Sequence, residues 1–176
     1  MSVWLGYRYG HGPRPEAEPH LGERMGTDDI TAFNHIGHCV TDLNRARRFY
    51  ESALGFHYLY ELKPPDEASS RLLMIEPPVC STAMYLRLDG LILELIHYDR
   101  PGNPPRAERV MNEPGLTHLS VSVDDVPQAL DRVKALGGEV LDETNIELAV
   151  MVRDPDGQLI ELLPMEYRRR MGQQGF

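Results

Sequence analysis

The chain has 176 residues, 41% hydrophobic and 26% charged, which suits one folded domain with its own core and is too short for two large ones. Its 18 basic and 27 acidic residues give a net charge of -9 and a pI near 5.2. That field repels a phosphate backbone and an anionic membrane surface, so nucleic acid and membrane partners are set aside. Two cysteines, Cys39 and Cys80, form neither a framework nor a C-x-x-C pair, and no apolar run near the N-terminus is long enough for a signal or a span. The expectation is a reduced, cytoplasmic protein.

Residues 1–30 lack periodicity and read as an arm outside the domain, with Trp4, Tyr7 and Tyr9 as its aromatic content. From Thr31 a pattern begins that returns later in the chain. The segment FNHIGHCVTDLNRA matches LTHLSVSVDDVPQA at an offset of 83, pairing His35 with His118, Val40 with Val123, Asp42 with Asp125 and Ala46 with Ala129. Each copy reads as a short strand followed by a helix capped by its Asp, with Pro127 at a position where a missing N–H costs nothing. Leu43, Ala46, Tyr50, Ala53 and Leu54 mark the apolar face of the first helix, which Gly55 stops in the left-handed conformation. Val126, Leu130, Val133 and Leu136 do the same before Gly137.

Each half then has room for two strands, at 56–62 and 81–88 and at 138–142 and 147–153, before a last apolar strand. That strand follows an Asp-Gly turn in both copies: DGLILELI at 89–96 matches DGQLIELL at 156–163, at an offset of 67. Each half thus reads βαβββ, an α+β architecture. The modules are expected at 31–98 and 115–166, joined by a Pro-rich linker at 99–114 and followed by a tail at 167–176 whose basic cluster, Arg168 to Arg170, is a solvated terminus. The two offsets differ by 16, which places an insertion of that size in the first half, within 63–80, read as a loop.

The repeats put one His and one Glu at equivalent strand positions: His35 with Glu94, and His118 with Glu161. Glu94 shares its face with Ile92 and Ile96 while Leu91, Leu93 and Leu95 fill the other, so the strand reads as buried on both sides. An ionised carboxylate there needs a cation or strong donors. Two neutral imidazoles and two carboxylates balance one divalent ion, and four ligands leave room for water or substrate. Zinc, nickel, cobalt, manganese and iron all accept this donor set. His38 faces the other side of its strand and is rejected as a ligand; Cys39, on the side of His35, reads as a buried core thiol. His97 and Tyr98 close the strand of Glu94 as an exposed terminus, and His11, His20 and His57 have no comparable setting.

The segments NHIGHCVTDLNRARRFYESALGF, LILEL, GLTHLSVSVDD and RDPDGQLIELL resemble the vicinal oxygen chelate superfamily over about residues 32–166. Glyoxalase I, methylmalonyl-CoA epimerase, extradiol dioxygenases and the bleomycin and fosfomycin resistance proteins belong to it. The resemblance implies paired βαβββ modules forming a half-open mixed β-barrel, commonly in a homodimer, with one divalent metal on His35, Glu94, His118 and Glu161. The His-Glu-His-Glu set is most similar to glyoxalase I. Where that enzyme commonly has an Arg and an Asn near glutathione, this chain has Cys39 and Tyr98. The implied reaction is isomerisation, epimerisation or lyase chemistry on a small molecule, by proton transfer next to a metal-bound carbonyl with Glu94 or Glu161 as the catalytic base. The rival readings are an Fe(II) extradiol-type dioxygenase on His35, His118 and Glu161, a non-catalytic resistance-type binding protein, and a structural dimer stapled by its metal.

Overall fold

Asp42 and Asp125 start the two repeated helices by accepting the backbone N–H of Arg45 and Gln128, each at 2.9 Å, which satisfies a donor left open by the first helical turn. The computed structural model describes residues 33–100, 102–104 and 111–172. The arm expected at 1–30, with Trp4, Tyr7, Tyr9, His11 and His20, lies outside them. From Asn34 onward the chain is one compact unit. Its first half runs β1 (Ile36–Cys39), α1 (Leu43–Leu54), β2 (His57–Leu62), α2 (Asp66–Leu73), β3 (Ser81–Leu88) and β4 (Leu91–Tyr98). The second runs β5 (Leu119–Val123), α3 (Val126–Ala135), β6 (Glu139–Val140), a 3-10 turn at Asp142–Thr144, β7 (Val150–Arg153), β8 (Leu159–Pro164) and α4 (Met165–Gly172).

Each half builds one mixed four-stranded sheet, in the orders β1-β4-β3-β2 and β5-β8-β7-β6. The paired βαβββ reading of an α+β fold therefore holds. The first strand of each half pairs in parallel with the last, setting Gly37 opposite Glu94 and Ser120 opposite Glu161. Because side chains alternate across a strand, one face of each sheet takes the apolar set and the other is left open. Leu93 and Leu95, and Ile160 and Leu162, are fully buried with Phe49, Tyr50 and Phe56 in one core. The three aromatic rings meet edge to face, with centroids 5.5 and 5.4 Å apart.

Three expectations need correction. The insertion at 63–80 is not a plain loop: Asp66 and Glu67 open helix α2 at the end where a dipole favours acidic groups. Asp66 Oδ1 also accepts the N–H of Val79 and Cys80, both at 2.7 Å, and so returns the chain to β3. The sequence 147–153 forms a strand only from Val150, because Ile146–Leu148 makes a tight turn before it. Cys39 is exposed rather than a core thiol, because the open face of the first sheet carries it. The basic cluster at Arg168 to Arg170 lies in α4, where Arg168 reaches Asp89 in the β3–β4 turn.

The halves meet through a polar contact. His38 Nε2 donates to Asp154 Oδ2 at 2.7 Å and the Tyr50 hydroxyl donates to the same oxygen at 3.0 Å, while Oδ1 accepts the N–H of Asp156 and Gln158 at 2.9 and 2.8 Å. Beside it, Asp156 Oδ1 takes bonds from the Thr41 backbone, the Thr41 hydroxyl and Arg45. Burial pushes the Asp154 carboxyl up, but the bond and charge of His38, with the Gln158 N–H and the Tyr50 hydroxyl, outweigh it and hold the group below the usual carboxylate range.

At Gly138 the halves approach so closely that a Cβ would sit 2.7 Å from the Arg153 carbonyl and from the Phe49 ring, and 2.8 Å from Val133. Gly138→Ala should therefore cost about 3 kcal/mol and lower Tm by on the order of 10 °C in a thermal melt; an unchanged Tm would contradict the close packing. A carboxylate whose pKa is depressed in the fold adds stability that is present above its unfolded value of about 3.9 and lost as pH falls through the lower folded value. Acid unfolding followed by circular dichroism should thus show the advantage of the wild type over Asp154→Asn narrowing below about pH 4, and a gap constant with pH would refute it.

Candidate metal centre

The parallel pairing of β1 with β4 and of β5 with β8 brings the four expected ligands together as two pairs. His35 lies two residues before Gly37 and so on the face of Glu94; its Nε2 is 3.0 Å from Glu94 Oε2. His118 stands in the same relation to Ser120 and Glu161, with Nε2 3.8 Å from Glu161 Oε2. Among the described residues no three His, Cys, Asp or Glu side chains are grouped closely enough to share a cation. The structure thus shows two half-sites. Glu94 is not buried on both sides: its face is the open one, where its side chain keeps 14% of its exposure and that of Glu161 26%.

The residue before each His fixes its ring. His35 Nδ1 is 2.9 Å from Asn34 Oδ1, and His118 Nδ1 is 2.9 Å from Thr117 Oγ1. In the tautomer that donates through Nδ1, each neutral ring turns the Nε2 lone pair toward a carboxylate. At His35 two acceptors then face each other at 3.0 Å, which is stable only with a proton or a cation between them. A ring held through Nδ1 and aimed through Nε2 is the arrangement of a metal-bound histidine with its outer hydrogen bond in place. The donor set therefore fits a divalent cation.

The two half-sites differ in their other neighbours. Tyr85, opposite Glu94 on β3, donates its hydroxyl to Glu94 Oε1 and stacks on Tyr60 with centroids 4.6 Å apart. Burial raises the Tyr85 hydroxyl pKa first, and the hydrogen bond and charge of Glu94 with Tyr60 raise it further. Opposite Glu161 stands Met151, and the hydrogen bond comes from Ser120 Oγ at 2.7 Å to Oε2. Sequence reasoning missed Tyr85; its signal was a polar aromatic residue at an inward position of an otherwise apolar β3.

His38 and His97 fall away from this face, and Tyr98 lies on it. His38 points into the core, as the alternation of β1 requires, and His97 turns its Nδ1 to the Val40 carbonyl at 3.1 Å. Tyr98 shares the face of Glu94 and is half-buried; burial, then the charges of Cys39 and Glu94, push its hydroxyl pKa up. Asn103 donates to Val40 O at 2.6 Å and to Cys39 Sγ at 3.1 Å, tying the linker to the end of β1. A cavity of about 170 Å³ at the seam of the halves is lined by Ile36, Gly37, His38, Leu93, His118 and Gln158, among others. Among the described residues no helix is long and apolar enough to cross a membrane.

The comparisons with known proteins agree with this architecture. An ethylmalonyl-CoA/methylmalonyl-CoA epimerase from Cereibacter sphaeroides is 29% identical over 113 residues, covering 64% of this chain and 75% of the relative. A putative lactoylglutathione lyase from Brassica oleracea is 26% identical over 140 residues, covering 77% of this chain but only 45% of the lyase, so the chain spans less than half of that relative. A glyoxalase family protein from Bacillus cereus superposes with a TM-score of 0.68 at 19% identity, over 80% of this chain and 98% of that one. The fosfomycin resistance protein FosX from Listeria monocytogenes, solved with Mn(II) and sulfate, gives 0.53 at 23% identity over 77% and 93%. At these identities the two structures show the fold alone. The model of one family matches residues 32–162, nearly the whole of the two modules, and the chain belongs to that family, the Glyoxalase/Bleomycin resistance protein/Dioxygenase superfamily.

Proposed function

We propose that His35, Glu94, His118 and Glu161 hold one divalent cation, and that the protein is an isomerase, epimerase or lyase moving a proton at the carbon beside a carbonyl of a small substrate. The observation that carries this reading is the repeated ring geometry: both histidines anchored through Nδ1 by the preceding residue and facing a glutamate through Nε2. When bound, such a cation supplies a Lewis acid for a substrate oxygen. Lyase and epimerase relatives, at 26% and 29% identity, support proton transfer over oxygen chemistry.

The two carboxylates take different parts. Glu94 is held at Oε1 by the Tyr85 hydroxyl and has its Oε2 3.0 Å from His35 Nε2, where a cation would join the two, so it is the fixed ligand. Glu161 has only Oε2 engaged, and its Oε1 meets no hydrogen-bond donor among the described residues. A partly exposed carboxylate with one oxygen not held by a donor can take a proton from substrate and return it, so Glu161 is the base. The names of the relatives, a lactoylglutathione lyase and an acyl-CoA epimerase, support a thioester or a glutathione-linked small molecule as the substrate class. The working assembly is a cytoplasmic homodimer.

Purified protein, loaded from a panel of divalent ions, is incubated in D2O with acyl-CoA thioesters and glutathione hemithioacetals, and deuterium entry beside the carbonyl is read by NMR. Glu161→Gln should retain metal and lose exchange by about 10²–10⁴-fold, whereas Glu94→Gln should lose metal. Absence of uptake from every ion in the panel would sink the reading, and oxygen consumption with ferrous iron in place of exchange would turn it to a dioxygenase.

A further inference from the structure

The most unusual feature outside the candidate ligands is the buried cluster at the seam. Asp154 receives four donors and is almost wholly enclosed. The internal repeat shows that the fold does not require this polarity. At the offset of 83, His38 corresponds to Val121 and Tyr50 to Val133, and by the pairing registers of β3 and β7 Asp154 corresponds to Leu88. The second half thus solves the same positions with apolar side chains. Since well-packed apolar groups usually equal or surpass a buried ion pair in stability, core stability alone does not account for the cluster.

Its connections do. His38 lies on β1, three residues after His35, and its Nε2 donates to Asp154. Through Oδ1, Asp154 orders the turn into β8 by holding the N–H groups of Asp156 and Gln158; Glu161 follows three residues later. Gln158 shares the seam cavity with His38 and His118, and its side chain reaches the Thr117 carbonyl at 3.5 Å, next to His118. Thr41 and Arg45 hold Asp156 in the same turn, at 2.5 and 2.9 Å from its Oδ1. One hydrogen-bonded path therefore runs from the strand after His35 to the strands of His118 and Glu161.

We propose that His38 and Asp154, with Tyr50, are positioning residues for the candidate metal centre: they fix β1 beside the His35–Glu94 pair and the turn into β8 ahead of the His118–Glu161 pair, and so keep each pair aimed as a bound cation needs. This rests on the metal reading above. An acceptor-only carboxylate requires an N–H on His38 Nε2, so His38→Gln, whose amide nitrogen reaches a similar place, preserves the link. His38→Leu removes it.

The test is Co(II) uptake by equilibrium dialysis together with the visible absorption of the bound ion, which reports coordination geometry, on the wild type and on His38→Leu, His38→Gln and Tyr50→Phe. Folding of each variant is checked by near-UV circular dichroism. His38→Leu should bind Co(II) about 10–100-fold more weakly, as expected for loss of an outer partner, with an altered spectrum. His38→Gln should recover most of the affinity, and Tyr50→Phe should fall between. A folded His38→Leu with wild-type affinity and spectrum overturns the proposal while leaving the metal centre intact. Should His38→Leu fail to fold, Tyr50→Phe decides: unchanged binding there overturns the proposal, and weakened binding with a shifted spectrum supports it. A wild type that takes up no Co(II) overturns the metal reading and this proposal with it.

Discussion

A buried carboxylate, Asp154, joins the two halves of this protein. Each half is a sheet packed against its repeated helix, α1 or α3, which fixes the inside of each module but not the placement of one module against the other. Apolar contact is non-directional and permits sliding. A carboxylate with four donors does not, because every displacement leaves a buried polar atom unsatisfied. Two of those donors are backbone groups of its own turn and two are side chains of the other half, so the shape of the turn and the docking of β1 are set together.

The open faces carry the candidate ligands. Parallel pairing of the first and last strands puts a His and a Glu side by side in each half. In a chain of net charge -9, each of these carboxylates adds negative charge that a bound cation would offset. The folded unit holds these charges with few local donors, and in the tautomer that donates through Nδ1 to Asn34 and Thr117 the histidines turn lone pairs rather than protons toward them.

Much of this was legible in the sequence because the signals are local or repeated. Asp42, Asp125 and Gly55 announce helix ends through backbone chemistry that involves only neighbouring residues, and the offset of 83 carries β1 and α1 directly onto β5 and α3. The His-Glu pairs were legible for the same reason. What stayed hidden depends on contacts distant in sequence. Helix α2 lies in the stretch with no repeat counterpart, and its return to β3 is set by Asp66 binding Val79 and Cys80, more than ten residues away. Asp154 and His38 are 116 residues apart; only the replacement of an apolar Leu88 by an Asp before the second Asp-Gly turn hinted at it. Cys39 was misjudged because alternation gives the face of a side chain but not whether anything covers that face.

A duplicated frame supplies symmetry, whereas the proposed proton transfer needs its opposite, since a fixed ligand and a mobile base are different tasks. The differences between the halves lie beside the two glutamates. Opposite one glutamate stands Tyr85, backed by the Tyr60 ring and bonded to the carboxylate; opposite the other stands Met151, which offers no hydrogen bond donor. Gly37 leaves Glu94 to its tyrosine, whereas Ser120 at the equivalent position takes hold of a single oxygen of Glu161. The seam follows the same logic, with His38 and Asp154 replacing the apolar pair that the repeat would place there. Equivalent positions carry the four candidate ligands, and the unequal positions around them give the two glutamates different hydrogen bonds.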